Sequence, residues 1–229
     1  MRLYLSGGGS KEQNIEAYKS FTKNIIKSNK PLLYVPLAFD ETKYDSCYKW
    51  FKDETKYFNN KKFIMVKSSL ELSKMNLFEF CGVFIGGGNT YKLLKELKEN
   101  GNMEKIINYL ENNGVVYGGS AGAIIFGKDI DGCKLSDKKI EVDTSGFNLL
   151  NGISLLCHFN ESNFEKNKNY LKEYTKNKKL IYLPEEDVIY INGKKVVMYG
   201  NKKYAMFENG EYTINNKKNL AMILNNEKI

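Results

Sequence analysis

The sequence predicts an α/β fold in which helices flank a mostly parallel sheet, with C-terminal β-hairpins that extend the sheet. Two observations predict it. Short apolar runs alternate with longer amphipathic stretches in the first two thirds of the chain, which is typical of βαβ units. After residue 180 the runs shorten and are separated by turn dipeptides such as Asn192-Gly193 and Asn209-Gly210, which predict a hairpin meander.

Six candidate strands precede the meander: Leu3–Ser6, Leu32–Pro36, Phe63–Val66, Val83–Gly86, Val115–Gly118 and Ile153–Cys157. Apolar residues at helical spacing predict helices between them, over Lys11–Lys27, Asp40–Tyr57, Asn89–Glu99 and Met103–Asn113. The meander is predicted to contain the strands Leu180–Leu183, Val188–Ile191, Lys195–Tyr199 and Tyr204–Phe207. No Pro, Ser or Gly-rich linker divides the 229 residues. We therefore expect a single α/β domain over residues 1–229, in which residues 180–229 form a β-rich C-terminal extension.

Composition narrows the functional classes. The net charge of +8 comes from lysines spread along the whole chain, so the sequence favours a solvated surface over a nucleic-acid site. No apolar run approaches the roughly 20 residues of a membrane-spanning helix, and the N-terminus resembles a first strand and not a signal peptide. With neither of these predicted, the expected location is cytoplasmic. The four cysteines form no C-x-x-C pair, which predicts reduced thiols and neither a metal site nor a redox motif.

The most informative motif is a nucleophile elbow. The apolar run Val115–Gly118 leads into Gly118-Gly119-Ser120-Ala121-Gly122, and an apolar helix start follows. In a G-x-S-x-G turn between strand and helix, the serine hydroxyl is exposed at the carboxyl edge of the sheet. The backbone N–H of Ala121 is then available to a developing oxyanion. The same pattern also occurs in structural turns, so the motif alone leaves both interpretations open.

A second glycine run, Gly86-Gly87-Gly88, follows the candidate strand Val83–Gly86 and precedes Asn89 and Thr90. It matches neither a Walker motif nor a complete G-x-G-x-x-G, although a phosphate-binding loop stays an alternative. Beside a serine elbow, the N–H of Gly88 would complete an oxyanion hole.

The chain contains one histidine, His158, directly after the candidate strand Ile153–Cys157. A Ser–His hydrolase mechanism must therefore use it as the general base, with an acid that orients the imidazole. Five acids lie between the elbow and the histidine, and spacing does not choose among them: Asp129, Asp131, Asp137, Glu141 and Asp143.

Together, the elbow, the upstream Gly86–Thr90 run and a histidine 38 positions after the serine resemble the aspartyl dipeptidase (peptidase E) family, which is related to cyanophycinase. The resemblance implies a class I glutamine amidotransferase-like fold, a serine peptidase acting on short peptides, and no cofactor. It implies Ser120 as nucleophile, His158 as base, and Gly88 and Ala121 as oxyanion donors. The family's acid lies in the loop after the elbow helix, which favours Asp137, with Glu141 as the alternative.

Substrate recognition departs from the family pattern. Preference for an amino-terminal aspartate calls for a cation, yet Arg2 is the only arginine in the chain. Lys166 and Lys168 are the candidate replacements, and Asn89 is a further candidate substrate contact. Two rival interpretations are a non-catalytic, small-molecule-binding protein on the same fold and an α/β-hydrolase esterase. The sequence leaves the oligomeric state open, and a homodimer is one alternative.

Overall fold

A computed structural model describes residues 1–225 and contains two β-sheets. The strands are β1 Arg2–Ser6, β2 Leu32–Val35, β3 Phe63–Met65, β4 Gly82–Ile85, β5 Val115–Gly119, β6 Ile153–Phe159, β7 Lys179–Pro184, β8 Val188–Asn192, β9 Lys195–Tyr199, β10 Tyr204–Glu208 and β11 Glu211–Asn215. The α-helices are α1 Ile15–Ile25, α2 Tyr44–Glu54, α3 Ser69–Lys74, α4 Thr90–Lys98, α5 Asn102–Glu111, α6 Ala121–Ile124, α7 Glu161–Tyr174 and α8 Leu220–Leu224. No helix within residues 1–225 is both long and apolar enough to cross a bilayer.

The main sheet has seven strands in the order β3-β2-β4-β5-β1-β8-β9. The first five of these pair in parallel, as the alternation of apolar runs and helices predicts. The hairpin β8-β9 then adds two antiparallel strands beside β1. The predicted mostly parallel α/β sheet, extended by a C-terminal hairpin, is thereby confirmed.

The other strands form a second sheet in the order β11-β10-β7-β6. In it β6 and β7 are parallel, whereas β10 is antiparallel to both of its neighbours. The sequence placed Ile153–Cys157 in the main sheet and expected Leu180–Leu183 and Tyr204–Phe207 to extend it, whereas β6, β7 and β10 belong to the second sheet. The sequence also did not predict β11. Periodicity reports whether a segment is extended but not which strand it pairs with. The last residues of the predicted extension, 226–229, lie outside the described residues.

Alternating side chains along the parallel strands divide the core between the two faces of the main sheet. On β1, Leu3 and Leu5 face the core that continues to the second sheet, whereas Tyr4 faces the core beneath α1 and α2. The α1–α2 face is rich in aromatic rings. Phe84 stacks on Tyr117 with a centroid distance of 4.8 Å, so buried rings form a continuous layer across the strands.

Candidate active site

Ser120 occupies a sharp turn between β5 and α6. Its φ of 51° and ψ of −114° are a backbone conformation that residues with side chains rarely adopt. A Cβ at Gly118 would collide with the carbonyl oxygen of Gly122, and a Cβ at Gly122 would collide with that of Ile85. The two flanking glycines are therefore required by close backbone approach. Strained residues of this kind concentrate at functional sites.

His158 also has a positive φ, of 66°, and lies at a β-bulge in β6. The pairing register with β7 shifts between Leu156 and Phe159, so one extra residue is accommodated there. Bulges of this type redirect a side chain out of the ladder. The backbone N–H of His158 donates to the carbonyl of Gly7 at the end of β1, with a distance of 3.2 Å. This bond holds the second sheet against the carboxyl edge of the main sheet.

The two strained residues meet in a hydrogen-bonded chain of three side chains. Ser120 Oγ lies 2.7 Å from His158 Nε2. On the other side of the ring, His158 Nδ1 lies 2.7 Å from Glu185 Oε1. The side chains of His158 and Glu185 are 39% and 43% exposed, so substrate and water can reach them. Serine, imidazole and carboxylate in this order can transfer a proton from the hydroxyl to a ring held in one tautomer.

Glu185 directly follows β7, which explains how it reaches the ring. Because β6 and β7 are parallel, their carboxyl ends lie at the same edge, and Phe159 pairs with Pro184. The backbone carbonyl of Glu185 also accepts a hydrogen bond of 2.9 Å from the N–H of Gly9. In the sequence, the signal for Glu185 is an acid directly after a strand that neighbours the strand of His158.

Asp137, the acid that the sequence favoured, does not contact the imidazole. Its Oδ2 accepts a hydrogen bond of 2.7 Å from the N–H of Thr90, at the start of α4. A carboxylate is stabilised there because the first N–H groups of a helix lack partners within the helix. Glu141 is exposed and has no bond to His158. The expected partnership of either acid with His158 is therefore replaced by that of Glu185.

The two predicted oxyanion donors lie beside Ser120. Gly88 has a φ of +131°, and a Cβ there would press against Ala38, so this position requires glycine. A Cβ at the preceding Gly87 would lie 3.2 Å from the Cβ of Ser120, which shows how closely the loop passes the serine. Among residues 1–225, neither the N–H of Gly88 nor that of Ala121 has a hydrogen-bond acceptor.

The predicted substrate contacts are separated by the structure. The Asn89 side chain caps α4 by accepting from the N–H of Lys92 at 2.8 Å, and it donates to a backbone carbonyl at 2.8 Å. Its polar atoms are therefore engaged within the protein, contrary to the expectation. Lys168 pairs with Glu165 at 2.5 Å on the outer surface of α7. Only Lys166 of the three lines a cavity beside Ser120.

Ser120, His158 and Gly88 line two cavities of different chemistry. The aromatic cavity has a volume of about 580 Å³, and its ring-bearing walls are Tyr18, Tyr34, Phe39, Trp50, Phe84 and Tyr117. The polar cavity has a volume of about 190 Å³, and its polar walls include Thr90, Ser136, Asp137, Asn163, Lys166 and Asn167. The reacting pair thus stands between a large apolar space and a small polar one.

Neighbouring thiols do not compete with Ser120 as nucleophiles. Burial raises the pKa of the Cys157 thiol well above its ordinary value, and burial also raises the pKa of Cys47 in the aromatic cavity. Both thiols therefore stay protonated near neutral pH, whereas the thiolate is the reactive form. Within residues 1–225, three or more His, Cys, Asp or Glu side chains nowhere converge as a metal site.

The profile of peptidase family S51 matches residues 3–199 of this chain. The chain belongs to peptidase family S51. Family membership makes the protein a serine-type peptidase, and it confirms the resemblance on which the sequence interpretation relied. It also removes the α/β-hydrolase esterase from consideration. No curated protein matches the sequence.

Two solved structures share the fold. One is a candidate peptidase E protein from Listeria monocytogenes EGD-e, with 21% identity, a TM-score of 0.67, and coverage of 87% of this chain and 98% of that one. The other is a peptidase from an acI-B1 Actinobacterium, with 18% identity, a TM-score of 0.74, and coverage of 95% and 94%. At these identities the likeness concerns the fold alone.

Proposed function

We propose that the protein hydrolyses short peptides by acyl transfer through a triad of Ser120, His158 and Glu185. The single observation that supports this proposal is the unbroken chain from Ser120 Oγ to His158 Nε2 and from His158 Nδ1 to Glu185 Oε1, with 2.7 Å at each contact. Nucleophile and base within hydrogen-bond reach, and a base oriented by a third group, are the geometric signature of covalent catalysis.

In the proposed reaction, Ser120 Oγ attacks the scissile carbonyl carbon while its proton passes to His158 Nε2. The tetrahedral intermediate collapses when the imidazolium returns that proton to the leaving amine, and the C–N bond breaks. Water then attacks the acyl-enzyme, again with His158 as base, and releases the acid. Glu185 accepts the Nδ1 proton's hydrogen bond throughout and stabilises the imidazolium.

The developing negative charge on the carbonyl oxygen needs donors that are fixed before the reaction. We assign this role to the N–H groups of Gly88 and Ala121, which flank Ser120 and have no acceptor among the described residues.

A fluorophosphonate probe tests the proposal. We expect the wild-type protein to be labelled at Ser120, as shown by mapping of the modified peptide, because the probe needs an activated serine. Labelling should be lost in Ser120→Ala and fall by about 10²-fold or more in His158→Ala, which removes the base. Circular dichroism of each variant checks that the fold is intact.

Absence of labelling in a folded wild-type protein would overturn the proposal and favour the non-catalytic binding protein. Labelling of the wild type that persists unchanged in His158→Ala would overturn the triad while leaving Ser120 as the reactive group.

Cleavage of Asp-X dipeptides is the finer part of the proposal. An amino-terminal aspartate in the polar cavity would meet Lys166, the cation in its lining. We expect Lys166→Ala to raise KM for Asp-X by about 10-fold, within the range for loss of a charged hydrogen bond. Lys168→Ala is the matched control on the same helix, because Lys168 pairs with Glu165 outside the cavity. Equal Asp-X kinetics in wild type and Lys166→Ala would remove Lys166 from substrate recognition.

A further inference from the structure

The aromatic cavity lies beside Ser120 and His158. Proton transfer along Ser120, His158 and Glu185 does not require it. Its floor is rigid because the rings beneath it pack on one another. Tyr34 stacks on Phe51 with a centroid distance of 4.0 Å, and Phe84 stacks on Tyr117 at 4.8 Å. Tyr34 and Phe84 are almost fully buried, so the floor belongs to the core of the main sheet.

The side of the cavity, by contrast, exposes large apolar rings to water. Trp50 is 47% exposed and Phe39 is 38% exposed. Trp50 is held against the floor, since its ring lies 6.0 Å from Tyr34 and 6.1 Å from Phe84. Exposed apolar surface that lines a concavity is typical of a ligand site, because covering it is favourable by about 25 cal/mol for each Å² of apolar surface removed from water.

Charge restricts what this cavity can accept. Among the described residues, the lining contains one lysine, Lys43, and no Asp or Glu. A lysine or arginine side chain placed there would be desolvated without a partner. An uncharged apolar side chain has no charge to desolvate on entry.

We propose that the aromatic cavity binds a large apolar side chain, preferably an aromatic one, of a residue that adjoins the scissile bond. This inference rests on the proposed peptidase function, because Ser120 and His158 belong to the wall of the same cavity. Its volume of about 580 Å³ lies in the range of small-molecule sites and leaves room for a side chain together with part of its backbone. The preferred substrates are therefore short peptides with Phe, Tyr or Trp beside the cleaved bond.

Dipeptides that carry Phe, Ala or Lys in either position test the preference. We expect kcat/KM for the better Phe-containing dipeptide to exceed that of its Ala counterpart by at least about 10-fold, and that of its Lys counterpart by more. The Phe-to-Ala ratio should fall to within about 3-fold in Trp50→Ala. Phe39→Ala is a second variant of the same wall and should lower the ratio in the same direction.

Tyr48→Ala is the matched control. Tyr48 lies on α2 like Trp50 and is 45% exposed, but it does not line the aromatic cavity. We expect this variant to keep the wild-type ratio. Equal kcat/KM for Phe, Ala and Lys dipeptides in the wild type would overturn the inference, and so would a preference that survives both Trp50→Ala and Phe39→Ala.

Binding can be measured without turnover. Trp50 is the chain's single tryptophan, so its fluorescence reports on this wall alone. In Ser120→Ala, titration with Ala-Phe should change the emission at lower concentration than titration with Ala-Ala. An identical response to both peptides would overturn the inference. The two proposals can fail separately. If the fluorophosphonate probe does not label Ser120 but the fluorescence response is selective for Ala-Phe, the peptidase function is contradicted while the cavity's preference for an aromatic ligand is retained.

Discussion

Replacement of Glu185 by glutamine is the sharpest test of the three-residue chain. Glutamine has nearly the same shape as glutamate, but its amide can donate as well as accept. If the amide nitrogen faces His158 Nδ1, the ring must carry its proton on Nε2 and can no longer accept the proton of Ser120. If the amide oxygen faces Nδ1, the tautomer is kept, but the negative charge that stabilises the imidazolium is lost.

The expected magnitude follows from the exposure of the pair. Loss of the acid in a buried serine-protease triad lowers kcat by about 10⁴-fold. Here His158 and Glu185 are 39% and 43% exposed, so water replaces part of the lost interaction. We therefore expect Glu185→Gln to lower kcat by about 10²- to 10³-fold, which corresponds to about 3–4 kcal/mol of transition-state stabilisation. KM should change by less than about 3-fold, because Glu185 lines neither the aromatic nor the polar cavity.

Asp137→Asn is the matched control, since Asp137 was the acid favoured by the sequence. For substrates without an amino-terminal aspartate, which do not rely on the polar cavity, it should leave kcat within about 3-fold of the wild-type value. Loss of the negative charge that accepts from the Thr90 N–H at the start of α4 should cost about 0.5–1 kcal/mol and lower Tm by about 1–4 °C. Steady-state kinetics and thermal melts of both variants separate these effects. A larger loss of kcat in Asp137→Asn than in Glu185→Gln would refute the reasoning.

Three further changes test the structure around the site. Asp187 is fully buried, and burial raises its pKa from 3.8 to about 6. Its contribution to stability is therefore complete below pH 3.8 and is lost as the pH rises through 6. The wild type should lose about 1 kcal/mol of unfolding free energy from this group between pH 5 and pH 7, and urea unfolding of Asp187→Asn should lack that change. Gly8→Ala should lower kcat more than 10-fold, because the methyl group would collide with the His158 ring. It should also destabilise the fold by about 1–2 kcal/mol, because Gly8 has a φ of +104°. Unchanged kinetics would contradict the placement of Gly8 against the His158 ring. Lys105→Met should cost about 1–2 kcal/mol in denaturant unfolding, because Lys105 Nζ donates to backbone carbonyls at the end of α3. The kcat should be unchanged, because Lys105 lines neither cavity. Stability equal to that of the wild type would argue against those bonds.

Local patterns were sufficient for the elements that build the site. The strand Val115–Gly118 and the small residues after it predict a turn at Ser120, because only glycine fits at positions 118 and 122. The parallel strands and crossover helices were predicted because alternation between apolar runs and amphipathic stretches depends on neighbours in the chain alone.

The pairing of strands from distant parts of the chain could not be read in this way. His158 was expected at the carboxyl edge of the main sheet, yet it lies on β6 of the second sheet, at a bulge in the pairing of β6 with β7. Glu185 reaches the imidazole only because β6 and β7 are parallel neighbours. Asp137, nearer in sequence to both Ser120 and His158, is occupied at the N-terminus of α4.

Sequence alone therefore determined the peptidase family, the mostly parallel sheet and the serine at its turn, since each depends on residue types at short, fixed spacing. Tertiary structure decided which carboxylate meets His158, which of Lys166 and Lys168 faces a cavity, and that rings from β2, β4, β5 and α2 surround one space beside Ser120. The physical reason is that a hydrogen bond or a cavity wall depends on distances in space, and strand register and helix packing bring together residues that lie far apart along the chain.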